Sequence, residues 1–181
     1  AYDMNGDETQ MYDGSVSNWG KTSGSNMLSV FYRFSFDEKD LRRNYVCGTA
    51  MWKYGSDGKV AMRLDPWTAY CGKWSKLWTE AGNTMGAISQ GNTGINYPYM
   101  RYADVLLMYA EAANEVNNGP TAEAIEALRQ VRMRAFGDET KVSDYLTSVS
   151  GSKEEFLKAV LDERRLEFAG ENMRWRDLVR N

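Results

Sequence analysis

The sequence predicts a mainly α fold built on a tetratricopeptide-like helical hairpin, with further helices after it and a loop-rich N-terminal half containing a few short strands before it. Three observations carry this. An apolar period of 3.6 residues runs on from Tyr99, helix start and stop residues bracket it, and glycine is unevenly spread. Of the 16 glycines, 12 precede Asn96, as do 5 of the 6 tryptophans. Residues 1–95 read as a loop-rich aromatic region and 96–181 as a helical scaffold region, both parts of one domain, because Gly, Ser and Asn serve turns while Ala, Leu, Glu and Arg serve helices.

Tyr102, Val105, Leu106, Tyr109, Ala113 and Val116 share one face behind Pro98, which predicts a helix over 101–117. Asn117-Asn118-Gly119-Pro120 ends it, Gly as the stop and Pro as the bar to continuation. Thr121 then caps a second helix with Glu123 in its positive first turn and a stripe of Ala124, Ile125, Leu128, Val131 and Ala135. So short a link makes the two helices antiparallel, and Ala110, Ala112, Ala113, Ala124 and Ala127 let them approach closely. No repeat of the hairpin is visible, and one hairpin cannot bury both its faces, so helices from elsewhere should stack on it.

Residues 137–151 read as a polar stretch. Ser152-Lys153-Glu154-Glu155 then forms a capping box that opens a third helix, in which side chains and orphan backbone donors satisfy each other. Its buried stripe is Phe156, Leu157, Val160, Leu161 and Phe168, and Arg164 falls on that stripe, so it needs a partner. Glu163, Arg164, Arg165, Glu167, Glu171, Arg174, Arg176, Asp177 and Arg180 crowd the C-terminal end. They suit either an anion clamp or a lattice of ion pairs; the mixture of signs favours the lattice.

In the first half, residues 28–36 suit a strand or a short helix. Met51–Tyr54 and 59–64 read as a β-hairpin around Gly55-Ser56-Asp57-Gly58, since Asp-Gly supplies the dihedral angles of a tight turn. Residues 82–95 read as a turn-rich run. Cys47 and Cys71 are either two buried thiols or one disulfide, with no CxxC pair to suggest zinc or thioredoxin-like chemistry.

Composition excludes several classes of function. The apolar share of 43% supports a core, and a net charge of -3 lacks the basic stripe that nucleic acid needs. With no histidine, Ser-His-Asp, Cys-His and His-ligated zinc chemistry all drop out. No apolar run approaches the roughly 20 residues of a membrane helix, and the first residues show no signal-peptide layout. No EF-hand spacing is present, and neither a cofactor nor a metal is expected.

Asn96 to Ala112, Asn-Tyr-Pro-Tyr-Met-Arg-Tyr-Ala-Asp-Val-Leu-Leu-Met-Tyr-Ala-Glu-Ala, closely resembles the signature helix of the SusD/RagB family of Bacteroidetes outer-membrane lipoproteins. The order of the later motifs is similar too: Asn114-Glu115, the 124–135 helix, Glu163-Arg164-Arg165-Leu166-Glu167-Phe168, Gly170-Glu171, Arg174-Trp175 and Asp177-Leu178-Val179-Arg180. Upstream, Asp40-Leu41-Arg42-Arg43 and Gly72-Lys73-Trp74 resemble two further family elements, whereas 1–39 carry no resemblance. The resemblance implies the C-terminal portion of a longer protein, truncated at both ends. It also implies non-catalytic capture of glycans at the cell surface, a lipid anchor outside this segment, and a SusC-like TonB-dependent transporter as partner.

The matched motifs look architectural, so the ligand must be read from the aromatic loops. Rings among Asn, Asp, Gln and Lys suit sugars, because a ring face takes the apolar side of a pyranose while amides and carboxylates bond its hydroxyls. The candidates are Tyr12, Trp19, Trp67 and Tyr70, which are expected in polar or turn-flanked loops away from the motifs; the alternative for each ring is a place in the core. Two other functions stay open: peptide capture of RagB type, and a carboxylate glycosidase using acids such as Asp57, Asp65 and Glu80.

Overall fold

A computed structural model describes residues 11–12, 27–47, 50–54, 60–64, 69–70, 73 and 98–180. In chain order the elements are β1 (Met11–Tyr12), β2 (Met27–Leu28), α1 (Val30–Arg33), α2 (Arg42–Val46), β3 (Ala50–Tyr54), β4 (Val60–Leu64) and β5 (Ala69–Tyr70). Then come α3 (Tyr102–Val116), α4 (Ala122–Phe136), α5 (Glu139–Val149), α6 (Lys153–Glu167) and α7 (Arg174–Arg180). The chain divides into two units, residues 1–38 with 42–97, and residues 39–41 with 98–181.

In the second unit α3 and α4 form the expected hairpin, and backbone hydrogen bonds explain its turn. The Asn118 N–H donates to the Glu115 carbonyl at 3.3 Å and the Gly119 N–H to the Asn114 carbonyl at 3.0 Å, the paired bonds of a Schellman stop. Asn118, with φ of 53°, holds the left-handed position that the sequence assigned to glycine; a short amide side chain tolerates that conformation. Thr121 caps α4 as expected, its Oγ1 accepting from the Ala124 N–H at 3.2 Å. Gly137, with φ of 63°, closes α4 through an N–H bond to the Met133 carbonyl at 2.8 Å. The Leu41 N–H satisfies another terminal carbonyl, that of Ala135, at 2.9 Å.

The polar stretch expected over 137–151 is instead largely the helix α5. Asp138 caps it by accepting from the Lys141 N–H at 3.0 Å, and Val142 and Leu146 bury one side. Its hydroxyls do not compete with the helix. Thr147 and Ser148 bond back to the carbonyls of Ser143 and Tyr145, at 2.9 and 2.7 Å. At the start of α6, Ser152 Oγ accepts from the Glu155 N–H at 3.2 Å. The return half of the expected box takes another form, a contact between Ser152 Oγ and Glu155 Oε2 at 3.1 Å.

The core of this unit joins Leu107 and Ala110 of α3, Ala124, Leu128 and Val131 of α4, Val142 and Leu146 of α5, and Phe156 and Val160 of α6. Fully burying such a Leu, Val or Phe side chain is worth about 1.5–3 kcal/mol. α4 and α6 bury the stripes read from sequence, apart from Ile125, Leu157 and Leu161, which are half-buried. α3 does not bury the expected stripe. Its inward face is Ala103, Asp104, Leu107, Ala110 and Asn114, while Tyr102, Val105, Tyr109 and Val116 are exposed. The helix is apolar on two sides, so period alone could not say which side meets the core. No helix among the described residues is long and apolar enough to cross a membrane.

In the first unit β3 and β4 pair antiparallel, from Ala50 opposite Leu64 to Tyr54 opposite Val60. The turn expected at residues 55–58 lies outside the described residues, as does the run 82–95. β1 lies parallel to β3, with Tyr12 opposite Lys53, and β2 pairs antiparallel with β5, with Met27 opposite Tyr70. Of the two alternatives for 28–36, the helix is found at Val30–Arg33. Tyr32 meets Phe36 edge-on at 5.4 Å, and Arg33 donates to the Cys47 carbonyl just beyond α2, where a cation complements the helix dipole. Cys47 is buried; Cys71 lies outside the described residues.

Candidate functional site

Most of the charges that crowd the C-terminal end belong to an ion-pair frame whose longer-range pairs link different elements. Arg101, just before α3, reaches the end of α6: its Nη1 donates to Glu167 Oε1 at 2.9 Å, and its Nε and Nη2 donate to Glu171 at 2.9 and 2.8 Å. Its guanidinium also lies over the Phe168 ring at 4.9 Å. Arg134 of α4 shares Glu167. Arg132 donates to Glu163 at 2.6 Å and rests 3.5 Å from the centre of the Tyr145 ring, which joins α4, α5 and α6.

Arg164, whose partner the sequence left unnamed, has two. Its Nη1 donates to Asp104 of α3 at 2.7 Å, and its Nε donates to both oxygens of Asp177 of α7 at 3.0 Å. All three side chains are buried. Burial lowers the pKa of both Arg101 and Arg164, yet the carboxylates outweigh it: Glu171 and Glu167 raise Arg101, and Asp177 and Asp104 raise Arg164. These guanidiniums stay charged and are committed to carboxylates of the same chain. The lattice reading therefore stands and an anion clamp built on Arg164 does not. Asp104 was the unread partner; its signal is an acid inside the apolar run from Tyr102 to Ala110, matching a lone Arg on the stripe of α6.

Of the four candidate rings, Tyr12 and Tyr70 are not in loops as expected but in short strands, β1 and β5, where backbone pairing holds them, and these belong to different sheets. Trp19 and Trp67 lie outside the described residues, as do Asp57, Asp65, Glu80, Gly72 and Trp74. The helical unit also presents exposed rings that were not among the ligand candidates: Tyr99 and Tyr102 flank Arg101, and Trp175 stands on α7. An open groove of about 420 Å³ runs along the hairpin, lined by Leu106, Tyr109, Ala122, Glu123, Ala127 and Gln130 among others.

Three comparisons bear on what this frame belongs to. The SusD family model matches residues 3–181. Among individual proteins, the chain is 36% identical over 94 residues to SusD-like protein P2 of Formosa agariphila and 41% identical over 90 residues to SusD-like protein P25 of the same organism. Those matches take in 50% and 49% of this chain but only 18% and 16% of the relatives. A solved SusD homologue from Bacteroides thetaiotaomicron superposes on 94% of this chain and 40% of its own, with a TM-score of 0.70 at 24% identity. A SusD superfamily structure from Parabacteroides distasonis covers 99% of this chain and 35% of its own, with a TM-score of 0.62 at 21% identity. These likenesses extend the fold across both units. By the family match over nearly its whole length, the chain belongs to the SusD family.

Proposed function

We propose that this chain is part of a non-catalytic capture protein at the outer-membrane surface, which holds glycans and hands them to a SusC-like TonB-dependent transporter. The observation that carries the reading is family membership over residues 3–181. The division of the chain supports it: a charge-locked helical scaffold and a separate unit that concentrates the tryptophans. In this reading the whole protein is tethered by a lipid anchor outside the segment. Rings stack on the apolar faces of sugars, polar neighbours bond the hydroxyls, and no bond is made or broken.

The rings assigned to the ligand are Tyr12, Trp19, Trp67 and Tyr70. Capture of this kind needs only micromolar affinity, about -8 kcal/mol, and each stacked ring lost, at about 1.5 kcal/mol, weakens it about tenfold, enough to release a glycan from a gel. Affinity electrophoresis through glycan-containing gels is the test, with each of the four residues replaced by Ala. Retention should be lost while the melting temperature stays within a few degrees. Unchanged retention in all four variants would remove these assignments. Binding to peptide pools with no glycan binding would replace the reading with peptide capture, and turnover of an aryl glycoside lost on Asp65→Asn would replace it with a glycosidase.

A further inference from the structure

α7 is an amphipathic helix turned inside out. Trp175, Leu178 and Val179 are 74%, 57% and 67% exposed, whereas Asp177 is 4% exposed. A helix of seven residues has no stability of its own, since isolated helices need roughly 12–15 residues. Something other than apolar burial must hold it, and among the described residues two ionic joints do. Asp177 takes the Nε of Arg164 from α6 at 3.0 Å, and Arg180 makes a two-pronged pair with Glu111 of α3 at 2.6 and 2.8 Å. Arg180 also reaches Asp177 at 3.3 Å, so the joints brace one another. Met173, just before the helix, is its contact with the apolar core.

The charge count around Arg164 makes these joints separable from the fold. Arg164 has two carboxylate partners, and if Asp177 leaves, Asp104 still neutralises it at 2.7 Å. The interior is then left with a balanced pair and no orphan charge. Glu111 and Arg180 lie nearer the surface, where each is hydrated once parted. We infer that α7 is a charge-latched strap, held to α3 and α6 by the Asp177–Arg164 and Arg180–Glu111 joints, which opens as a unit while the α3–α6 bundle stays folded.

Amide hydrogen exchange on the protein that carries these 181 residues tests this. In the unmodified chain the amides of Asp177 to Arg180 should be protected. In the double variant Asp177→Ala with Glu111→Ala they should lose protection by roughly tenfold or more, as expected when charge-assisted hydrogen bonds are removed. The amides of α3 to α6 should keep theirs within about twofold. Raising the salt to about 1 M should weaken α7 by a smaller factor, because it screens the exposed joint more than the buried one. Trp175→Ala should leave α7 protection unchanged. The strap is overturned if α7 is unprotected from the outset, if the double variant leaves it protected, if α3–α6 opens in step with it, or if Trp175→Ala loosens it as much as the charge removals do.

Discussion

α4 and α7 join the same helical unit with opposite emphasis, α4 mainly by apolar burial and α7 mainly by ion pairs. α4 turns Ala124, Ala127, Leu128, Val131 and Ala135 inward, with one buried cation, Arg132, paired to Glu163 beside them, and leaves Glu123 and Gln130 outside. α7 turns Asp177 inward and leaves Trp175, Leu178 and Val179 outside. Apolar attachment is non-directional and weakens in proportion to the area lost, so it tolerates small changes. Ionic attachment inside a protein is conditional, because each charge depends on its partner and a lost partner leaves a desolvated charge behind. The two helices should therefore respond differently to loss of one side chain.

The largest effect is expected at the hub of the ionic mode. Arg164→Met keeps most of the side-chain volume but leaves Asp104 buried without its cation and removes the joint that holds Asp177. The expected loss is about 3–5 kcal/mol, read as a lower denaturation midpoint of the helical signal. Neutralising both acids in the same chain, Asp104→Asn with Asp177→Asn, should recover much of that loss. Failure to recover would mean that Arg164 acts by filling space and not by charge.

The apolar mode is tested by Leu128→Ala. Leu128 is fully buried between α3 and its neighbours, and truncating it removes apolar contact and leaves a cavity. The expected loss is about 3 kcal/mol, with α7 exchange unaffected relative to the rest of the bundle. A loss confined to α7 would contradict the division between the two modes.

The same division explains what could be read from the sequence. α4 and the apolar part of α6 were legible because a stripe of Ala, Leu, Val and Phe has one plausible side to bury. α3 was legible as a helix but not in its orientation, since both Leu107-Ala110 and Val105-Tyr109 rows are apolar and only the neighbours decide between them. α5 was missed because Thr147, Ser148 and Ser150 suggest turns, and their back-bonding to helix carbonyls appears only in three dimensions. The need for a partner to Arg164 was visible, but the choice of Asp104, 60 positions away, is a fact of packing. Of the candidate rings, Tyr12 and Tyr70 lie in two-residue strands, which are too short to leave a readable alternation in the sequence.

The smallest expected effect falls where the two modes meet. Tyr145 of α5 packs partly against the apolar core and carries Arg132 on its ring face. Burial raises its pKa; Arg132 opposes that, and Glu163 and Asp162 add to it. A phenol whose folded value lies above its unfolded value of about 10 favours folding while neutral. That contribution is fully present below about pH 10 and is lost as pH rises through the folded value. Stability should therefore have an alkaline limb that Tyr145→Phe reduces, while the two chains stay nearly parallel at neutral pH, because Phe keeps the ring beneath Arg132. Denaturant midpoints across the alkaline range measure the difference. An identical limb in both chains would assign it to another group and leave the Tyr145 ring as packing alone.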